Sequence, residues 1–267
     1  MAESDYVKFL EGNPSRVLRC AYCGEEVKAY DSEAICQFCG MPANLADEEL
    51  KTESNVYDLL LKMQEALRNG NYASVISYSE EMLNSEKNAE NYFSAGIFCS
   101  AASDYLYSKV DYNIYGYMED NAANKAKAKE FTTKAKQYFY AALKMCDSSL
   151  SNNFEYTYLK FVIQLKMKRF ADAKKSLDAV NKSNGTKLAK DYANLAFYVE
   201  DGMLNDAKAY LKKMPKYKDV AISYYVAKLN AKSGNIGQAK RMLEKIVNSV
   251  QMPKAQKLLG EIEQLNI

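Results

Sequence analysis

The sequence predicts a mainly α-helical chain in which about five helical hairpins stack into a solenoid, closed by a C-terminal helix and preceded by a small unit built on four cysteines. Three observations carry that reading. First, one helix-turn-helix signal is repeated. Phe170-Ala171-Asp172-Ala173 leads to Leu177, Leu204-Asn205-Asp206-Ala207 to Leu211 and Ile236-Gly237-Gln238-Ala239 to Leu243, at intervals of 34 and 32 residues. In each copy a large apolar residue, an alanine three later and a leucine four later again share one helix face. A hairpin of about 34 residues buries both helices only by stacking on neighbours. Second, proline and glycine, both poor inside helices, number only 4 and 11 in 267 residues. Third, Cys20-Ala21-Tyr22-Cys23-Gly24 is echoed by Cys36-Gln37-Phe38-Cys39-Gly40.

The N-terminal unit comes first in the chain. Twelve residues, Gly24 to Ile35, separate the cysteine pairs. Each pair with its glycine predicts a tight knuckle, the glycine at positive φ and the loop amides turned towards sulfur. Two knuckles supply Cys20, Cys23, Cys36 and Cys39, and four thiolates at tetrahedral positions suit Zn2+. Glu25 to Tyr30 alternates and predicts a short strand, with Glu33-Ala34-Ile35 as its antiparallel partner. In this the unit resembles a zinc ribbon. It is too small to fold alone, so metal binding is expected to supply most of its folding free energy, on the order of 10 kcal/mol. Iron is the second reading, because rubredoxin-like modules hold it in similar knuckles and transfer electrons. This loop lacks their usual proline and glycine. The remaining thiols, Cys99 and Cys146, fall singly within helical patterns and are expected to be reduced core residues.

Charge narrows what the unit does. Residues 1–50 hold four Lys/Arg against ten Asp/Glu, and an acidic ribbon repels phosphate. A folding staple or a small protein-docking knob is therefore expected over a nucleic-acid contact. We place this domain at residues 1–48 and the helical array at 49–267. The polar stretch Asn44 to Ser54 either links the two or starts the first helix.

Helical periodicity begins at Val56. Leu59, Leu60, Met63, Ala66 and Leu67 line one face, Gly70 ends the helix in the left-handed conformation, and Val75, Ile76, Met82 and Leu83 build the return helix. A second hairpin starts near Asn91, but its partner helix is delayed to about Ala122–Met145. That repeat holds about 26 extra residues, with an insertion at about 108–121, and a long ordered loop there would be a functional candidate. Three further hairpins are predicted at Phe154–Ser183, Leu188–Pro215 and Val220–Val250. Gly202 and Gly234 mark the last two turns, whereas the third hairpin turns at Lys168-Arg169. After Pro253 an amphipathic segment through Ala255, Leu258, Leu259, Ile262 and Leu265 predicts a capping helix over the exposed end of the stack.

Residues 56–250 resemble tetratricopeptide repeats, on the turn glycine followed by an apolar or aromatic residue (Gly70/Tyr72, Gly202/Leu204, Gly234/Ile236), the small residue after it (Ala173, Ala207, Ala239) and the pair Ala95-Gly96. Tryptophan is absent and Val75 stands where alanine is usual. The resemblance implies a right-handed array whose first helices form a concave, peptide-holding face. Matched residue by residue, its aromatic row falls on Phe93, Tyr158, Tyr192 and Tyr224. The next row, one turn on, falls on Ile97, Val162, Ala196 and Lys228. The family's clamp for a C-terminal carboxylate is not reproduced, since Leu60 and Gln64 occupy its first two places.

Catalysis is not expected. Histidine is absent, which removes the usual general base at neutral pH and every Ser-His or Cys-His pair. No phosphate-cradling glycine loop and no nucleophile elbow occurs. No apolar run is long enough to cross a membrane, and the acidic start Met1 to Tyr6 lacks a signal-peptide pattern, so a cytoplasmic protein is expected. The expected function is a protein-protein adaptor, binding a peptide or protein surface through the concave face, with the ribbon as a second contact module. After residue 50 the chain holds 32 Lys/Arg against 24 Asp/Glu. A nucleic-acid- or ribosome-associated factor using that basic body is the alternative, and an iron electron-transfer module the third.

Overall fold

The computed structural model describes residues 4–43, 55–108, 118–148 and 153–265. A short helix α1 (Ser4–Val7) and a 3-10 turn (Lys8–Glu11) lead into four small strands, β1 (Arg16–Arg19), β2 (Glu26–Ala29), β3 (Ala34–Ile35) and β4 (Pro42–Ala43). Then follow α2 (Asn55–Arg68), α3 (Tyr72–Ser85), α4 (Ala89–Ser108), α5 (Met118–Ser148), α6 (Phe154–Lys166) and α7 (Phe170–Lys182). The chain continues through α8 (Lys187–Glu200), α9 (Leu204–Lys213), α10 (Val220–Lys232), α11 (Ile236–Ser249) and α12 (Pro253–Leu265). The protein is thus mainly α with a four-cysteine cluster near its N-terminus. The segments 44–54 and 109–117, where the domain boundary and most of the expected insertion fall, lie outside the described residues.

The helix ends follow local chemistry. Asn153, Thr186 and Asp219 accept the N–H of Tyr156, Ala189 and Ile222 at 2.9, 3.3 and 2.9 Å, capping α6, α8 and α10. Gly70, Gly202 and Gly234 end their helices at φ 68°, 83° and 84°. The third hairpin, without a glycine, places Lys168 at φ 57° instead, a conformation that costs a side-chain-bearing residue about 1–2 kcal/mol.

Packing follows the repeat. α2 packs on α3, α4 on α5, α6 on α7, α8 on α9 and α10 on α11. Ala173, Ala207 and Ala239 are fully buried, each followed by a buried leucine one turn on. The second hairpin differs in length, with α4 at 20 and α5 at 31 residues against 10 to 14 in the others. Much of its extra chain is therefore helix, since α5 starts at Met118, inside the span expected as a loop. Gly96 lets α4 approach α5. A Cβ there would lie 2.5 Å from the Phe139 ring.

The last helix departs from a plain end cap. α12 packs on α11 and α10, but also on α4. Lys257 pairs with Asp104 at 3.0 Å, and Arg68 Nε donates to Gln251 Oε1 at 2.7 Å. The end of the array thus returns to its beginning.

The strand pairing expected between Glu25–Tyr30 and Glu33–Ile35 is corrected. β2 pairs with β1, Arg19 opposite Glu26, and β3 pairs with β4, Ile35 opposite Pro42. Each knuckle reverses the chain, so the antiparallel partner of a strand is the one across its own cysteine pair. Sequence alternation cannot show which neighbour a strand takes.

Candidate metal centre

Each knuckle is fixed by its own backbone. Gly24 N–H donates to Cys20 O at 2.8 Å and Gly40 N–H to Cys36 O at 2.8 Å, with the glycines at φ 69° and 91°. Strand hydrogen bonds close the loops behind them, Cys20 N–H to Glu25 O at 3.0 Å and Cys36 N–H to Met41 O at 2.8 Å. The two knuckles face one another. Cys20 Sγ lies 3.5 Å from Cys39 Sγ and Cys23 Sγ 3.6 Å from Cys36 Sγ, and all four sulfurs fall within 4.8 Å of each other, fully buried.

These spacings fit a metal and not a disulfide. Four sulfurs at about 2.3 Å from a tetrahedral ion stand about 3.8 Å apart, whereas bonded sulfurs stand about 2.05 Å apart. Burial, then the Cys20 thiol, pushes the Cys23 and Cys36 thiols up. A divalent ion reverses that preference by holding the thiolates. Cys99 and Cys146 lie apart from the cluster, free and buried. Burial lifts them to about 12 and about 11, so they are inert core thiols.

The ribbon packs against the first helix of each hairpin, and these helices grip it mainly by its main-chain atoms. Gln64 of α2 donates to Cys23 O at 3.0 Å, Ser94 of α4 to Tyr22 O at 2.5 Å and Tyr158 of α6 to Gly40 O at 3.2 Å. On α10, Ser223 donates to Tyr6 O, and Asp219 Oδ2 accepts the Ile35 N–H at 2.9 Å. Tyr192 of α8 stands against Gly40, where a Cβ would lie 2.9 Å from its Oη. Apolar contacts fill the gaps, Tyr22 edge-on to Phe93 and Phe38 tilted against Phe98.

That embedding decides the fate of the expected groove. Phe93, Ile97, Tyr158, Val162, Tyr192, Ala196 and Tyr224 are all buried. The first members of the row meet the chain's own ribbon, and Tyr224 lies under Lys254 of α12, 4.7 Å from its ring centre. Lys228 is half-buried and gives both oxygens of Glu200 an ion pair at 2.8 Å. The row expected to hold a partner's peptide is covered within the chain itself. Burial accordingly pushes the Tyr158 and Tyr192 hydroxyls well above the ordinary tyrosine range.

Sequence reasoning singled out Tyr158 and Tyr192 for a partner's peptide, and missed that they, with Gln64, Ser94, Ser223 and Asp219, hold the chain's own ribbon. Among the residues missed altogether, Asp219 carried a signal, as the acid directly before a predicted helix. Its second role, receiving Ile35, depends on a contact across 184 residues. Burial raises its carboxyl to about 6, against the lowering effect of the Ile35, Ile222 and Ala221 N–H groups. No helix of the described residues is long and apolar enough to cross a membrane. Among protein-family models, curated proteins and solved structures, none matches the chain.

Proposed function

We propose that the chain is a non-enzymatic protein-interaction scaffold: a right-handed, tetratricopeptide-like array wrapped around its own zinc ribbon, which presents an outward strand to a partner protein. The observation that supports this best is the use already made of the inner row. At the positions that hold peptides in the family it resembles, Phe93, Tyr158 and Tyr192 meet polypeptide, and Tyr158 does so through a backbone carbonyl. With that side filled from within, contact with others falls to the outside. β1 pairs only with β2 among the described residues, and its Val17 is 50% exposed, beside exposed Arg16. A free strand edge with an apolar side chain accepts an extended segment of another protein.

Capture of partners by the full-length protein in its native cell, with metal analysis of the same preparation, tests this. Val17→Asp is expected to lose a partner that the wild type retains while zinc content stays unchanged. Equal capture by both counts against the ribbon edge. Binding that collapses steeply with salt and brings nucleic acid instead favours the basic body, and a coloured preparation identifies iron.

A further inference from the structure

The outer surface of α5 carries a line of side chains that neither the metal centre nor the β1 edge uses. Lys125, Lys129, Thr133, Lys136, Tyr140 and Lys144 follow one another at steps of three or four residues, so they share one flank of the helix, and every one is exposed. At 1.5 Å per residue the line runs for about 28 Å.

That flank is cationic without compensation. Glu130 stands on the other flank, three residues from Lys127 and four from Lys134. Lys134 is itself taken by Glu80 of α3 at 3.1 Å, and Asp147, past the end of the line, is taken by Lys160 of α6. Lys129, Lys136 and Lys144 have no acidic partner among the described residues. The fold does not call for them, since Ala128, Phe131, Ala135, Phe139 and Ala142 make the buried face, while Lys125 and Lys129 repel each other mildly across one turn.

One ring interrupts the cations. Tyr140 is 52% exposed, the only exposed aromatic side chain among the described residues, and Lys144 Nζ stands 5.2 Å from its ring centre.

The chemistry of the line selects its partner. Protein interfaces are apolar at their centre and poor in lysine, whereas this flank offers a single ring. A helix that lies on a membrane needs an exposed apolar face beside its cations, and here the apolar face is buried in the core. A single nucleic-acid strand needs what is present, namely cations along a line for its phosphates and an exposed ring on which an unpaired base stacks.

We propose that the α5 flank from Lys125 to Lys144 binds a single-stranded nucleic acid, with the lysines along its phosphates and one base on Tyr140. This goes beyond the scaffold reading. It gives the chain a second binding surface, made by a helix of the array and not by the ribbon.

The test is fluorescence anisotropy of the full-length protein with labelled strands of about 12 nucleotides, one RNA and one DNA of the same sequence. Four phosphate contacts, each adding about −0.7 to the log-log slope, make affinity fall about 50-fold between 50 and 200 mM salt. Lys129→Gln combined with Lys136→Gln is expected to halve that slope, and Tyr140→Ala to weaken binding about 10-fold at unchanged slope. Lys174→Gln, at a lysine of α7 paired with Asp178, is expected to change nothing. All these side chains are exposed, so the variants are expected to melt as the wild type does. Tighter binding of RNA than of DNA identifies a contact with the 2′-hydroxyl, and equal binding leaves phosphate and base as the whole of the recognition. A wild type that binds neither strand at 50 mM salt overturns the proposal, as does a lysine double variant that keeps the full slope. So does Tyr140→Ala with wild-type affinity, since any polyanion would then serve. An aspartate-rich peptide of equal charge that binds as tightly as the strands, and loses as much in Tyr140→Ala, would make the partner an acidic protein and overturn it too.

Discussion

Residues 16–43 form four strands of two to four residues around four sulfurs, whereas residues 55–265 repeat one apolar hairpin face until it becomes a continuous core. The first region has local order without enough apolar surface to hold it. The second has ample apolar surface, yet its inner side would stand open without a filler. Each region supplies what the other lacks. The ribbon covers Phe93 and Tyr158, and the array satisfies the ribbon's backbone at Cys23, Tyr22, Gly40 and Ile35. Two units that look separable in sequence therefore share one interior.

Metal removal tests that sharing most severely. Chelation, or Cys36→Ser, is expected to cost the ribbon on the order of 10 kcal/mol of metal-derived folding energy. The helical far-UV signal is also expected to melt lower by about 10 °C or more, a drop of several kcal/mol for a chain of this size. An unmoved helical transition would mean that the two regions stand independently.

Tyr158 probes the boundary between them. Truncation by Tyr158→Ala is expected to destabilise by about 3–5 kcal/mol, as for other buried aromatics. Tyr158→Phe removes only the bond to Gly40 O and is expected to cost about 1 kcal/mol. Urea melts of the pair separate packing from tethering, and equal losses would deny the ring any packing role.

Asp219 gives a smaller, pH-dependent effect. Its carboxyl is raised from 3.8 to about 6, so the folded chain binds that proton more tightly than the unfolded chain. Its contribution to stability should therefore grow as pH falls from above 6 towards 4, by an amount of order 2 kcal/mol, and shrink as pH rises. Asp219→Asn is expected to flatten that slope in melts recorded across pH 4 to 7. A steeper slope in the variant would show that another group carries it.

The smallest effect belongs to the array's outer surface. Lys174 pairs with Asp178 one turn on, both half-exposed. Lys174→Ala is expected to change stability by less than about 0.5 kcal/mol. A larger loss would make the outer face more than a solvated one.

How far the chain could be read in advance differs between the regions. The hairpins from Phe154 onward were legible to within a few residues, because apolar spacing and turn residues act locally. The four ligands were legible too, since knuckle geometry depends on a handful of neighbouring residues. The ribbon's strand partners were not. Alternation marks a strand without saying which strand faces it, and each knuckle chose its own pair. Nor was the start of α5 at Met118, because the stretch before Ala122 gives no clear helical period.

What the amino-acid sequence determined by itself is the repeated amphipathic hairpin and the two cysteine knuckles, both products of short-range spacing. Only the tertiary structure decided that the ribbon packs against the first helices of the hairpins, that α12 returns to α4, and that Lys254 stands over the rings of Tyr224 and Tyr225. Those facts arise from contacts between residues tens to hundreds of positions apart. Buried area and charge balance, which no local pattern records, select among the arrangements that the local signals allow.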